Sequence, residues 1–214
     1  MKYLLSSGCS FSIPRPHLGI HTCVGKEIAN YKQLQHLNIA EPSSGNTRII
    51  ANTKIFYEKY PERKKDTFAL VQFSYGGRFD YIKKSDNNNL KMNTVNIVRE
   101  HLSTSKIFTD ADLVEWTAFN FYNSVLDMQN YLKQNDIPYY FYNGMQSVVR
   151  KPKSYLNNII DAIDQNYFFN LHDQDTVHYK WCEDRDFLIP NDLHPNNDGV
   201  QQYAKLLQDK IKHI

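Results

Sequence analysis

The 214-residue sequence predicts an α/β protein: one domain spanning residues 1–214, with a mostly parallel sheet and helices on both faces. Three observations lead there. Strand-like and helix-like segments alternate along the chain, the order that yields a parallel sheet. The segment "DTFALVQFS" (66–74) is apolar almost throughout rather than alternating, as a strand covered on both faces must be. Each strand-like run also ends in small or turn-forming residues: "GCS", "SSGN", "SYGGR" and "NGM". In such folds sites form beyond the carboxyl ends of the strands, so these four turns are expected along one edge.

Taken in order, residues 3–6 read as a short buried strand. Residues 22–37 ("TCVGKEIANYKQLQHL") read as a helix, with Val24, Ile28 and Tyr31 on one face. "LNIAEP" (37–42) reads as the second strand, closed by Pro42 and the Ser43–Asn46 turn. Ile49, Ile50, Ile55 and Phe56 give helical spacing over 47–60. Strand 66–74 ends at Tyr75–Gly76–Gly77, and the polar stretch 81–108, with its Asn run at 87–89, is expected to be an insertion or lid. Phe121, Val125, Met128 and Leu132 mark a long helix over 111–134, ended by Asn135–Asp136. "IPYYFYNGM" (137–145) is the next strand. Residues 153–170 read as helical or irregular, and the polar, aromatic stretch 172–186 as a surface region. The last helix begins near Asn196–Asp198 and buries Val200, Tyr203, Ala204, Leu207 and Ile211.

Composition narrows the function. The length suits one sizeable core, and 41% hydrophobic with 22% charged residues is ordinary for a globular domain. A net charge of +2 implies neither a nucleic-acid nor a membrane-surface partner. The 15 tyrosines suit half-buried surfaces and sugar contacts. Cys9, Cys23 and Cys182 form no CxxC pair, and an odd count without a secretory signal fits a cytoplasmic, reducing location. "LLSSGC" has the outline of a lipoprotein cleavage site, but Lys2 is followed by only Tyr3, Leu4 and Leu5. A signal peptide needs an apolar run of about 7–15 residues, and no stretch approaches the ~20 of a membrane span.

Two stretches carry chemistry: "GCSFS" (8–12) after the first strand and "NDLHPNNDGVQQYA" (191–204) before the last helix. A Ser in a tight strand-to-helix turn has its hydroxyl exposed beside a backbone N–H. It needs an imidazole to take its proton, and that imidazole needs a carboxylate on its other nitrogen. Asp192 and His194 stand two residues apart, a spacing that puts both on one side of extended backbone. Ser10 also reads as a plain turn residue, Ser12 as a rival nucleophile, and Cys9 as a thiolate alternative. The remaining histidines show no metal-ligand spacing; His172 and His178 with Asp173 and Asp175 read as a solvated loop. "GIHTCVGKE" has five residues between its glycines and no Ser or Thr after Lys26, so it is not a phosphate loop. Neither metal nor organic cofactor is expected.

At these two blocks the sequence resembles the SGNH/GDSL hydrolases. The resemblance implies a three-layer α/β/α sandwich around a flavodoxin-like sheet. Gly8–Cys9–Ser10–Phe11 matches that family's G-D-S block, with Cys9 in place of its Asp, and implies Ser10 as nucleophile. Asp192–Leu193–His194–Pro195 with Gly199 matches its last block, implying His194 as base and Asp192 as its orienting partner. "SSGN" implies Gly45 as a backbone oxyanion donor beside the Ser10 N–H. The family's third-block Asn is absent: "FSYGGRF" stands there. The sequence is similar to a branch of small, often phage-encoded SGNH-like proteins with a Ser or Thr and then "RF" at this position. That similarity implies Asn46 as the missing donor, with Ser74 or Arg78 as support or substrate contact. The implied activity is cleavage of a short acyl ester, with a carbohydrate O-acetyl group as one candidate, and the implied partner is a small acyl ester or acylated glycan. The same triad can transfer an acyl group to a sugar. The absent Asn fits a non-catalytic glycan-binding or virion-associated module instead.

Overall fold

Twelve strands and helices follow one another in the computed structural model, which describes residues 1–84, 90–96, 110–145 and 154–211. They are β1 (Tyr3–Ser7), α1 (Val24–Tyr31), β2 (Gln35–Asn38), α2 (Asn46–Lys59), β3 (Thr67–Phe73), β4 (Arg78–Lys84), β5 (Leu90–Asn96), α3 (Asp110–Gln134), β6 (Tyr139–Asn143), α4 (Asn157–Asp161), α5 (His178–Glu183) and α6 (Asn197–Gln208). β1, β2, β3 and β6 form a parallel sheet in the order β2-β1-β3-β6. β4 and β5 pair separately as an antiparallel ladder, from Arg78 opposite Asn96 to Lys84 opposite Leu90.

The period-two geometry of the strands divides the core into two layers. Leu5, Ala69, Val71, Phe73, Tyr139 and Phe141 face α2 and α3. Their neighbours Leu4, Phe68, Leu70, Tyr140 and Tyr142 face α1 and α6. The result is the expected three-layer α/β/α arrangement. Every residue of β3 is buried, which is why its sequence reads as continuous rather than alternating hydrophobicity. The predicted stripe is buried as expected, at Val200, Tyr203, Ala204 and Leu207 on α6 and at Ile211 just beyond its end. Among the described residues no helix is long and apolar enough to cross a membrane.

Two expectations need correction. The helix read over 22–37 stops at Tyr31, and β2 occupies 35–38 rather than 37–42. The stop is a left-handed cap at Gln33 (φ 56°): the Leu34 N–H donates to Ala29 O at 2.8 Å and the Gln33 N–H to Asn30 O at 3.2 Å. Such caps usually announce themselves by glycine, and here none is present. The stretch 172–186 is not wholly a surface region. His178 and Cys182, one turn apart on α5, are both fully buried. A Cβ on Gly199 would lie 2.7 Å from Phe187 Cβ and 3.2 Å from Cys182 Sγ, so the glycine permits that close approach to α6. The polar stretch read as an insertion or lid at 81–108 begins inside the β4–β5 hairpin; residues 85–89 and 97–109 lie outside the described residues.

Candidate active site

The first block is shaped by what lies beneath it. A Cβ on Gly8 would sit 2.5 Å from Ser12 Oγ and 2.9 Å from Gln72 Cβ, so only glycine lets β1 turn here. The chain then makes a single 3-10 turn over Ser10–Ser12, with the Ser12 N–H donating to Cys9 O at 2.9 Å. The side chains of the turn diverge. Cys9 and Ser12 face inward and donate to Gln72 Oε1, at 3.4 and 2.8 Å. Ser10, next to Cys9, faces His194 instead, at 2.9 Å from Nε2. Neither rival nucleophile touches the imidazole.

The last block is a folded-back loop. The Ile189 N–H donates to His194 O at 2.8 Å and the Asn196 N–H to Phe187 O at 2.7 Å. Leu193, between the two functional side chains, has φ 65°, and Asn191 has φ 67°. Asp192 and His194 therefore meet across a turn, not along extended backbone as the spacing suggested. A left-handed Leu costs on the order of 1–2 kcal/mol, and such strain persists where the surroundings over-determine it. Here Asn196 supplies part of that frame by capping α6, its side chain accepting from the Gly199 N–H at 2.8 Å.

His194 Nδ1 is hydrogen-bonded to Asp192 Oδ1. A carboxylate only accepts, so the Nδ1 proton is donated to it. Nε2 is then the bare nitrogen, able to accept from the Ser10 hydroxyl. The imidazole is tilted against the Phe11 ring, with centroids 4.7 Å apart. Arg15 also reaches this group: its Nη1 lies 3.3 Å from His194 Nδ1 and 3.5 Å from Asp192 Oδ2. Burial, and then the Arg15 charge, hold the His194 pKa below the usual imidazole value, against the opposing pull of Asp192.

The start of α2 carries the two residues implied as oxyanion donors, Gly45 and Asn46. Asn46 is buried, and its Oδ1 accepts from the Ser74 N–H at 2.8 Å. That bond fixes the amide's orientation, because a backbone N–H can meet only the oxygen. The Asn46 Nδ2 group is buried and has no partner among the described residues. The Ser10 N–H likewise has none. Gly45 is different: its N–H donates to Asp80 Oδ1 at 3.0 Å. The donor expected there is already engaged. Asp80 also accepts from the Arg48 N–H at 2.8 Å, so a β4 carboxylate caps α2 across the fold. A Cβ on Gly45 would fall 2.6 Å from Asp80 Oδ2, which accounts for the glycine. Ser74 is also corrected as a substrate contact. It is fully buried, its Oγ accepting from Arg78 Nη1 at 2.9 Å and donating to Met145 Sδ at 3.7 Å. Arg78 Nη1 further donates to Ser44 O at 3.3 Å, so this pair braces the loop before α2.

Four residues of the site escaped sequence reasoning: Phe11, Arg15, Gln72 and Asp80. Gln72 had a signal, as the lone polar residue inside the run "FALVQF". Asp80 and Arg15 act across the fold and lie in no recognisable block. Among the described residues no group of three or more His, Cys, Asp or Glu side chains is placed to hold a metal ion.

No protein-family model and no curated protein matches the sequence. Solved structures do match the fold. A Bacillus subtilis protein superposes with a TM-score of 0.58 at 14% identity, over 99% of this chain and 56% of its own. This chain thus spans little more than half of that protein. A lipase/acylhydrolase from Enterococcus faecalis gives 0.52 at 11% identity, covering 99% of this chain and 96% of that one. An acetyl xylan esterase from the rumen bacterium Butyrivibrio proteoclasticus gives 0.51 at 11%, over 99% and 63%. The fold is the one these acylhydrolase and esterase structures share.

Proposed function

We propose that the protein is a serine ester hydrolase of the SGNH type. One observation carries the reading: the Ser10 Oγ, His194 and Asp192 side chains form a continuous hydrogen-bonded chain, drawn from opposite ends of the sequence. In the proposed reaction the Ser10 oxygen attacks the ester carbonyl while its proton passes to His194 Nε2. The resulting imidazolium is stabilised by Asp192 and gives the proton to the leaving alcohol. Water, deprotonated by His194 in turn, cleaves the acyl-enzyme and restores Ser10. The tetrahedral oxyanion is met by the Ser10 N–H and the Asn46 amide, two donors with no other partner among the described residues. The substrate is a short acyl ester, and an O-acetyl group on a carbohydrate is favoured by the fold likeness to the acetyl xylan esterase.

Labelling by a fluorophosphonate probe tests this directly. The wild type is expected to be labelled and to hydrolyse p-nitrophenyl acetate, and Ser10→Ala to do neither. Absence of both in the wild type rejects the reading. Acyl transfer from the same ester to an added sugar, in preference to water, would reassign it as an acyltransferase.

A further inference from the structure

Arg15 belongs to none of the blocks considered above, yet its backbone is firmly held. Its N–H donates to Ile20 O at 2.7 Å, and the Ile20 N–H donates back to Arg15 O at 3.0 Å. From this two-bond frame the side chain extends to the Asp192–His194 pair. Asp192 thereby has each oxygen engaged, Oδ1 by the imidazole and Oδ2 by the guanidinium at 3.5 Å. All three side chains are largely sheltered, exposed by 22% for Arg15, 27% for Asp192 and 15% for His194, so solvent screens the group only in part.

We propose that Arg15 is a positioning residue of the site: it clamps the second oxygen of Asp192 so that the first stays on His194 Nδ1, and its charge disfavours the imidazolium. The two actions oppose Asp192 in one respect and assist it in another. Asp192 alone would favour a protonated His194 in mildly acidic solution and so remove the base. Burial of the imidazole and then the Arg15 charge offset that attraction without displacing the hydrogen bond, leaving His194 neutral and directed at Ser10. The other groups facing His194 are Asp192, Ser10 Oγ at Nε2, the Phe11 ring on its face, and His178 beyond Phe11. His178 is kept uncharged by its burial, with a pKa of about 3. The kinetic consequence rests on the hydrolase reading; the electrostatic one does not.

Two variants and two readouts separate these ideas. Arg15→Met keeps the aliphatic stem and removes the charge, whereas Arg15→Lys keeps a charge and loses the planar fork. The His194 imidazole is titrated by NMR, and kcat/KM toward p-nitrophenyl acetate is followed across pH. A unit charge near 4 Å in water-like surroundings changes a protonation equilibrium about fivefold. Arg15→Met is therefore expected to raise the His194 midpoint, and to lose more kcat/KM in mildly acidic than in alkaline solution, by a factor that approaches about five below the wild-type midpoint. Arg15→Lys should keep the low midpoint. An unchanged midpoint in Arg15→Met, or a loss of activity equal at every pH, overturns the proposal in favour of a purely structural role. A midpoint that moves in a wild-type-like fold lacking all esterase activity rejects the hydrolase reading and leaves the clamp standing.

Discussion

Replacing His178 by Phe should make the protein less sensitive to acid. His178 is fully buried, neither ring nitrogen has a partner among the described residues, and the ring stacks on Tyr203 with centroids 4.2 Å apart. Phe11 meets it edge-on at 5.9 Å. Burial, with the nearby His194 adding to it, lowers its pKa from 6.5 to about 3. Between those values the unfolded chain binds a proton that the folded protein refuses. The contribution is fully present above pH 6.5 and is lost as the pH falls. At about 1.4 kcal/mol per pH unit, roughly 2–3 kcal/mol is gone by about pH 4.5, and on the order of 5 kcal/mol over the whole window. Phe fills a similar volume, does not titrate, and breaks no hydrogen bond. The assay is urea unfolding of both proteins at about pH 8 and about pH 4.5, with the wild type losing roughly 2–3 kcal/mol more than the variant. His36, whose pKa burial lowers to about 4, titrates in the same window but is common to both proteins and cancels in the difference. A stability difference between wild type and variant that is the same at both pH values would refute the reasoning.

Asn46→Ala should lower kcat about 10²–10³-fold with a much smaller change in KM, as expected for loss of one oxyanion donor; steady-state kinetics on p-nitrophenyl acetate measure it. Asp80→Ala should destabilise the fold by about 1–3 kcal/mol, because the buried N–H groups of Gly45 and Arg48 lose their acceptor and the Arg48 guanidinium, 3.8 Å away, loses one of its two acidic partners, Glu41 being the other; chemical denaturation measures it, and Asp80→Asn, which keeps an acceptor, should fall between.

The parts of this molecule written in consecutive residues were legible, and the parts that depend on encounters across the fold were not. The buried face of α6 and the continuous apolarity of β3 follow from short periodicities, so the layers could be anticipated. Ser10, Asp192 and His194 were legible because each block combines a turn with a chemically specific residue. The end of α1 was not, since Gln33 adopts the left-handed conformation that sequence assigns to glycine. Arg15 and Asp80 were invisible for another reason. Their partners lie 177–179 and 32–35 positions away, and nothing local distinguishes an arginine that meets a histidine from one that meets water. Gly45 was misread on the same ground: its N–H was assigned to a ligand because its chain neighbours fit, while Asp80 held it from another strand.

The absent third-block Asn takes on a different meaning once the contacts of Asn46 are considered. The loop after β3 provides no amide side chain, but it has not dropped out of the arrangement. Its Ser74 N–H grips Asn46 Oδ1, and its Arg78 guanidinium holds both Ser74 Oγ and Ser44 O. In the proposed reaction the donor stands on α2, and the loop after β3 fixes which way its amide faces. Orientation matters more than residue count here, because an amide free to flip presents an acceptor to a developing oxyanion half the time and repels it. On this argument Ser74→Pro, which removes the gripping N–H, should impair catalysis although Ser74 touches no substrate. Its effect should largely vanish when Asn46 is already Ala, and two independent, additive losses in that double-mutant cycle would defeat the argument.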